Sequence, residues 1–185
     1  YSIAIPRRLV INMLWCQKPK PELKGTNVLE YILWGEKQGY DERPSCRGRA
    51  LWYALNGPTA PTMLWPSAFF ERHICYECPA GCVADKVFYT ITAERLPAVT
   101  RAYLNSSVVA LLVEVEGYQL NHGGIFVTTE WLKHLPVLAE SNVPIEDIYT
   151  QIVEREILLY EDETRQNDRL ALEEAILEAL HLPTS

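Results

Sequence analysis

Several chemistries are missing from this 185-residue chain. It has no glycine-rich strand-to-helix loop for a dinucleotide and no Gly-Lys-Ser/Thr phosphate loop. It has no Gly-x-Ser-x-Gly elbow, and no pair of histidines bracketing a glutamate at metalloprotease spacing. Glu114 and Glu116 form a close carboxylate pair in the compact region. They alternate with Val113 and Val115, which reads as the wet side of a helix end, and the lysine and aspartate of a metal-dependent nuclease core are absent. No apolar run approaches the roughly 18 residues a membrane-spanning helix needs, so no membrane span is expected. The chain opens on Tyr1 with no basic and apolar leader ahead of it, and it is expected to be a piece of a longer protein. Five cysteines, an odd number, do not make a disulfide framework at this length. Reduced thiols and a cytoplasmic location are therefore expected.

What is present is an ordinary globular composition, 48% hydrophobic and 22% charged, which excludes a disordered chain. The net charge of -7 is unevenly spread: residues 1–138 carry 14 Lys+Arg against 12 Asp+Glu, and residues 139–185 carry 3 against 12. The acidity therefore belongs to the tail and says little about what the first part binds. Two domains are expected, 1–138 and an acidic helical tail over 139–185.

The coarse pattern is α+β: a small twisted mixed sheet, short helices and the helical tail. Ile3, Ile5, Leu9, Val10 and Ile11 with Trp15 suggest an opening strand or two, and Thr26-Asn27 can cap a helix over 28–37. Segments 51–55, 62–65, 72–76 and 87–92 are rich in aromatic and branched residues between Pro and Gly, and read as strands. Leu96, Val99, Tyr103 and Leu104 then recur at helical spacing. Asn105-Ser106-Ser107 reads as the start of a helix over 108–116 that stops at Gly117, with Asn105 the capping residue. A strand over 125–128 and a helical turn from Thr129 to Pro136 follow. The tail carries two apolar stripes, Ile145-Ile148-Ile152-Ile157 and Leu170-Leu172-Ala175-Ile176-Ala179-Leu180, broken at 166–168.

Two constellations carry chemistry. Arg43, Arg47 and Arg49 fall within seven residues, just ahead of Trp52 and Tyr53. Either they are a solvated arginine face or they contact phosphates, since guanidinium pairs bidentately with phosphate oxygens. His73, Cys75, Cys78 and Cys82 can in principle hold zinc, with 78–82 as a knuckle. Against this, the second ligand pair usual for structural zinc is missing, and no metal is expected. The five tryptophans are mostly core candidates, one or two of them placed to stack on bases.

Four ordered stretches go further. They are Tyr31-Ile32-Leu33-Trp34-Gly35-Glu36-Lys37-Gln38-Gly39-Tyr40 with Ser45-Cys46-Arg47-Gly48-Arg49-Ala50-Leu51-Trp52-Tyr53; residues 62–66 with Arg72-His73; Tyr103-Leu104-Asn105-Ser106-Ser107; and Gly123-Gly124-Ile125-Phe126-Val127 leading to Leu132-Lys133-His134-Leu135-Pro136-Val137. Together, over roughly 27 to 138, they resemble the target-recognition region of adenine-specific DNA methyltransferases, the TaqI-like C-terminal specificity domain. The resemblance implies a role in restriction-modification or phage defence, with double-stranded DNA as partner. The methyl group would come from S-adenosylmethionine bound by the catalytic domain of the same parent chain. That family's catalytic tetrapeptide, Asn or Asp then two prolines and an aromatic, is absent here, as is its glycine-rich cofactor motif. The fragment is expected to bind and not to catalyse. Arg43, Arg47, Arg49, Arg72, His73, Lys86, Asn121 and His122 are the DNA-contacting candidates, each also readable as an ordinary solvated or structural side chain. A specificity subunit acting in trans and a zinc-stabilised protein-interaction module are the alternatives.

Overall fold

A computed structural model describes residues 3, 14–55, 61–79, 81–121, 123–141 and 144–183. The chain divides into two compact units, one of Arg8–Pro58 and one of Tyr1–Arg7 with Thr59–Ser185. The fold is α+β, as the pattern implies.

In the smaller unit, α1 (Asn27–Lys37) starts where the sequence places it. Thr26 is its N-cap, its hydroxyl accepting from the Leu29 N–H at 3.3 Å and donating to the Leu23 carbonyl at 2.7 Å. Gly39, at φ +71°, lies just beyond the helix end. Ile32 faces a small core of Cys16, Leu23 and Tyr53. Gly35 is fixed by contact: a Cβ there would lie 2.6 Å from the Trp52 ring. Residues 51–55, expected as a strand, are turn and coil. Their side chains hold them instead, Trp52 Nε1 donating to Glu36 Oε1 at 2.9 Å and the Tyr53 hydroxyl to the Lys18 carbonyl at 2.9 Å. Lys20 pairs with the same Glu36.

The larger unit holds β1 (Met63–Pro66), β2 (Ala68–Phe69), β3 (Tyr76–Glu77), β4 (Phe88–Ile91), β5 (Tyr118–Gln119) and β6 (Ile125–Phe126). It also holds helices α2 (Ala98–Leu104), α3 (Ser107–Glu116), α4 (Thr129–His134), α5 (Ile145–Glu154), α6 (Tyr160–Glu163) and α7 (Asn167–Ala179). The strands make two antiparallel sheets, ordered β3-β1-β4 and β2-β6-β5, where one mixed sheet was expected. The reason is connectivity: α2 and α3 carry the chain from one sheet to the other rather than back to a parallel neighbour. β2 and β5, two residues each, are too short to leave a periodic signal. Of the opening strand expected over the first residues, only Ile3 and Trp15 lie within the described residues; the Ile3 carbonyl accepts from the Glu77 N–H at 2.8 Å.

The 72–76 segment is mostly not a strand, and Asn105 explains why. Its amide Oδ1 accepts from the Cys75 N–H at 2.9 Å, while its Nδ2 donates to the Cys75 carbonyl at 3.1 Å. One side-chain amide thus satisfies both backbone groups of Cys75, as a neighbouring strand would. Asn105 is therefore not the helix cap the sequence suggests. Ser106 is, its hydroxyl accepting from the Val109 N–H at 3.4 Å.

The tail does not form a separate core. Ile145, Tyr149 and Ile152 of α5 and Leu172, Ala175 and Ile176 of α7 are buried with Ala102, Leu104 and Val109 in the same cluster as Met63 and Trp65. The expected boundary at 138 is thus not where the two compact units part. No single helix among the described residues is long and apolar enough to cross a membrane.

Replacing Asn105 by alanine strips partners from the Cys75 backbone and the Tyr149 hydroxyl at once. It should cost about 3 kcal/mol in a urea melt, whereas Val115→Ala, at an exposed position of α3, should stay within about 0.5 kcal/mol.

Candidate functional site

The sequence candidates divide between the two units. In the smaller unit, residues 41–53 form a run of tight turns. Arg43 is its pivot: its carbonyl accepts from the N–H groups of Cys46 and Arg47, both at 2.8 Å. Gly48, at φ +89°, permits the reversal between Arg47 and Arg49. All three arginines are exposed. The Arg43 guanidinium sits 4.3 Å over the Tyr40 ring, and Arg49 Nη1 donates to the Ala54 carbonyl at 3.4 Å. Among the described residues none of the three is in an ion pair. The loop borders an open cavity of about 570 Å³ shared with Lys20, Asp41 and Glu42. The two carboxylates moderate its positive charge without pairing with the guanidiniums.

In the larger unit the candidates scatter. His73 is half-buried, with its ring against the core: the ring lies 4.7 Å from Trp65 and 4.6 Å from Phe69, and its Nε2 is 2.6 Å from the Leu104 carbonyl. Burial pulls its pKa down to about 4 against the weaker upward pull of that carbonyl. The ring is therefore neutral at physiological pH, with Nε2–H donating to Leu104, and offers no cation to a phosphate. Arg72 lines a second cavity, of about 350 Å³, with Phe69, Phe70, Tyr76 and Phe88. Lys86 is exposed in the turn ahead of β4, two residues from Phe88. Asn121 is exposed in the β5–β6 turn, which the Leu120 N–H closes onto the Gly124 carbonyl at 2.7 Å. His122 lies outside the described residues.

The zinc candidates fall into two pairs. Cys75 Sγ and His73 Nε2 are 3.7 Å apart inside the core, where burial raises the Cys75 thiol. Cys78 is pushed up to about 12, first by burial and then by its hydrogen bond with Cys82. Among the described residues no three His, Cys, Asp or Glu side chains converge as a metal site. Both sheets of the described residues are antiparallel throughout.

The largest polar construction was not legible in the sequence. Arg155 grips Asp168 through Nε at 2.6 Å and Nη2 at 2.9 Å, and Glu163 through Nη1 and Nη2, both at 2.9 Å. Arg169 Nε reaches Glu163 at 3.2 Å, and its Nη1 donates to the Asn105 carbonyl at 3.0 Å. Glu173 caps α3, both its carboxylate oxygens accepting from the Ser107 N–H at 3.1 and 2.9 Å. Two of the three basic residues of the tail are thereby committed to internal carboxylates. The signal available was their position: Arg155 and Arg169 flank the acidic run 161–163 in an otherwise acid-rich segment.

Burial of Glu163 opposes its charge, but Arg155, the Leu158 N–H and Arg169 outweigh that and hold its pKa below 4.5. Asp168 is held below 3.8, chiefly by Arg155. Both contribute stability that is full above those ordinary values and is lost as pH falls through the lowered folded values. Glu173, raised by burial, works in the opposite sense. Glu163→Gln should lower stability by about 2 kcal/mol at neutral pH, because it takes one carboxylate from two guanidiniums that keep Asp168 and Glu173 as partners. In urea melts it should lose less than the parent chain between about pH 5 and pH 3. A parallel acid limb in both proteins would rule Glu163 out as its source.

Comparison with protein-family models, with curated proteins and with solved structures finds no match for this chain.

Proposed function

We propose that this chain supplies DNA target recognition to an adenine-specific DNA methyltransferase of a restriction-modification or phage-defence system, working in the cytoplasm on double-stranded DNA. The observation that carries the reading is how the arginines are used. Arg101, Arg155 and Arg169 are taken up by Glu77, Glu163, Asp168 and Glu173. Arg43, Arg47 and Arg49 are exposed on one turn-rich loop and have no carboxylate partner among the described residues. Exposed guanidiniums of this kind can hold phosphates or read guanine in the major groove. The ordered stretches of the sequence resemblance run through that same loop.

The chain's part in the reaction is to bind and orient. S-adenosylmethionine, when bound by the catalytic domain of the parent protein, supplies the methyl group. In this chain the loop offers guanidinium donors to phosphate oxygens, and Asn121 and Lys86 offer further polar contacts at separate turns of the larger unit. The acidic tail repels phosphate and is turned to internal work.

Arg47→Ala with Arg49→Ala should weaken binding of duplex DNA and lower the slope of log K against log salt by about 1 for each phosphate contact removed. An unchanged slope and affinity, in a double variant with an unchanged melt, would remove the loop from the interface. Deleting the gene should also erase one methylated adenine motif from the source genome; an unaltered methylation map would count against the enzyme assignment.

A further inference from the structure

The smaller unit carries an exposed aromatic face that neither its core nor the duplex reading uses. Tyr31 and Trp34, one turn apart on α1, are stacked with centroids 5.5 Å apart and planes 26° from parallel. Trp34 meets Tyr40 edge-on at 5.6 Å, and Arg43 lies over that Tyr40 ring at 4.3 Å. Tyr31 is 55% and Trp34 46% exposed, with Leu33 beside them at 42%, while Tyr40 is half-buried. The core of this unit is built by Ile32 on the opposite side of the helix, with Leu23 and Tyr53. Removing Tyr31 and Trp34 from water is therefore left to something outside it. The row ends at Arg43, and Arg47 follows directly, its N–H bonded to the Arg43 carbonyl at 2.8 Å. Lys37 extends the same helix and is exposed. The acids nearby are Glu30, Asp41 and Glu42; Glu36 is taken up by Lys20 and Trp52.

We propose that Tyr31 and Trp34, backed by the half-buried Tyr40, form a stacking platform for the unpaired bases of a single DNA strand, with Arg43 and Arg47 holding its phosphates. Exposed rings interleaved with guanidiniums match the chemistry of a strand whose bases have left the duplex: flat π faces alternating with anionic phosphates. An apolar protein surface would satisfy the rings but leave the arginines idle, and an intact duplex would satisfy the arginines but leave the rings idle. The inference rests on the DNA reading and names the form of DNA this face takes.

The test is fluorescence anisotropy of a short labelled single strand of mixed sequence, and of its duplex, with the full chain. Tyr31→Ala with Trp34→Ala should weaken single-strand binding at least about tenfold and leave duplex affinity unchanged. Tyr31→Phe with Trp34→Phe, which keeps two ring faces, should retain single-strand binding. Equal single-strand affinity in the alanine variant and the parent chain overturns the proposal while leaving the duplex reading standing. Ring-dependent binding of the strand with no binding of the duplex supports the platform and sinks the duplex reading. A parent chain that dimerises in sedimentation velocity, and an alanine variant that does not, would give the face to a second copy and overturn the proposal.

Discussion

In the larger unit the segment before β3, α2, α5 and α7 meet at Asn105. Its amide closes both backbone groups of Cys75 and touches the Tyr149 hydroxyl at 3.3 Å, and its own carbonyl takes Arg169 Nη1. One residue at the junction of α2 and α3 therefore ties the segment before β3 to α5 and α7. Because Asn105 is buried, each of these bonds is made away from competing water, and losing it strands a polar group in the core. The tail is attached through that junction as well as through its apolar stripes. This is why residues 145–179 belong to the core for all their negative charge.

The electrostatics follow from the same arrangement. With twelve carboxylates in the tail, the cheapest partners for Arg155 and Arg169 are internal, and Glu163 is buried only because both guanidiniums reach it. In the larger unit Arg101, Arg155 and Arg169 are drawn inward onto carboxylates, while Lys86, Arg95 and Arg165 stay exposed. In the smaller unit the opposite holds: Glu36 is occupied by Lys20 and Trp52, and the arginines of the 41–53 loop stay solvent-facing. Surface cations left without internal partners mark where a polyanion can be held.

Long, strongly patterned elements were legible in the sequence. Thr26 as a cap, the stripe of α5 and the stop at Gly117 all rest on local rules that tertiary contacts reinforce. What was not legible depends on partners distant in sequence. Residues 51–55 have strand composition, but Trp52 fills the space opposite Gly35 and the segment packs on α1 instead. Cys75 looks like a strand residue with a thiol that could join a zinc site, yet its backbone pairs with an amide thirty residues away and its sulfur is buried. His73 has a binding residue's chemistry, and burial between two aromatic rings removes it. The arginine loop was legible as a cluster, because three guanidiniums within seven residues cannot all be buried without three partners. That they lack carboxylate partners was visible only in three dimensions.

The most direct measurement is amide hydrogen exchange of the full chain with and without duplex DNA. Protection concentrated in residues 40–53, with α5 and α7 unchanged, is the expected result. Protection confined to the tail helices, or none anywhere at a concentration where DNA is bound, would contradict the division of arginines between internal and external partners.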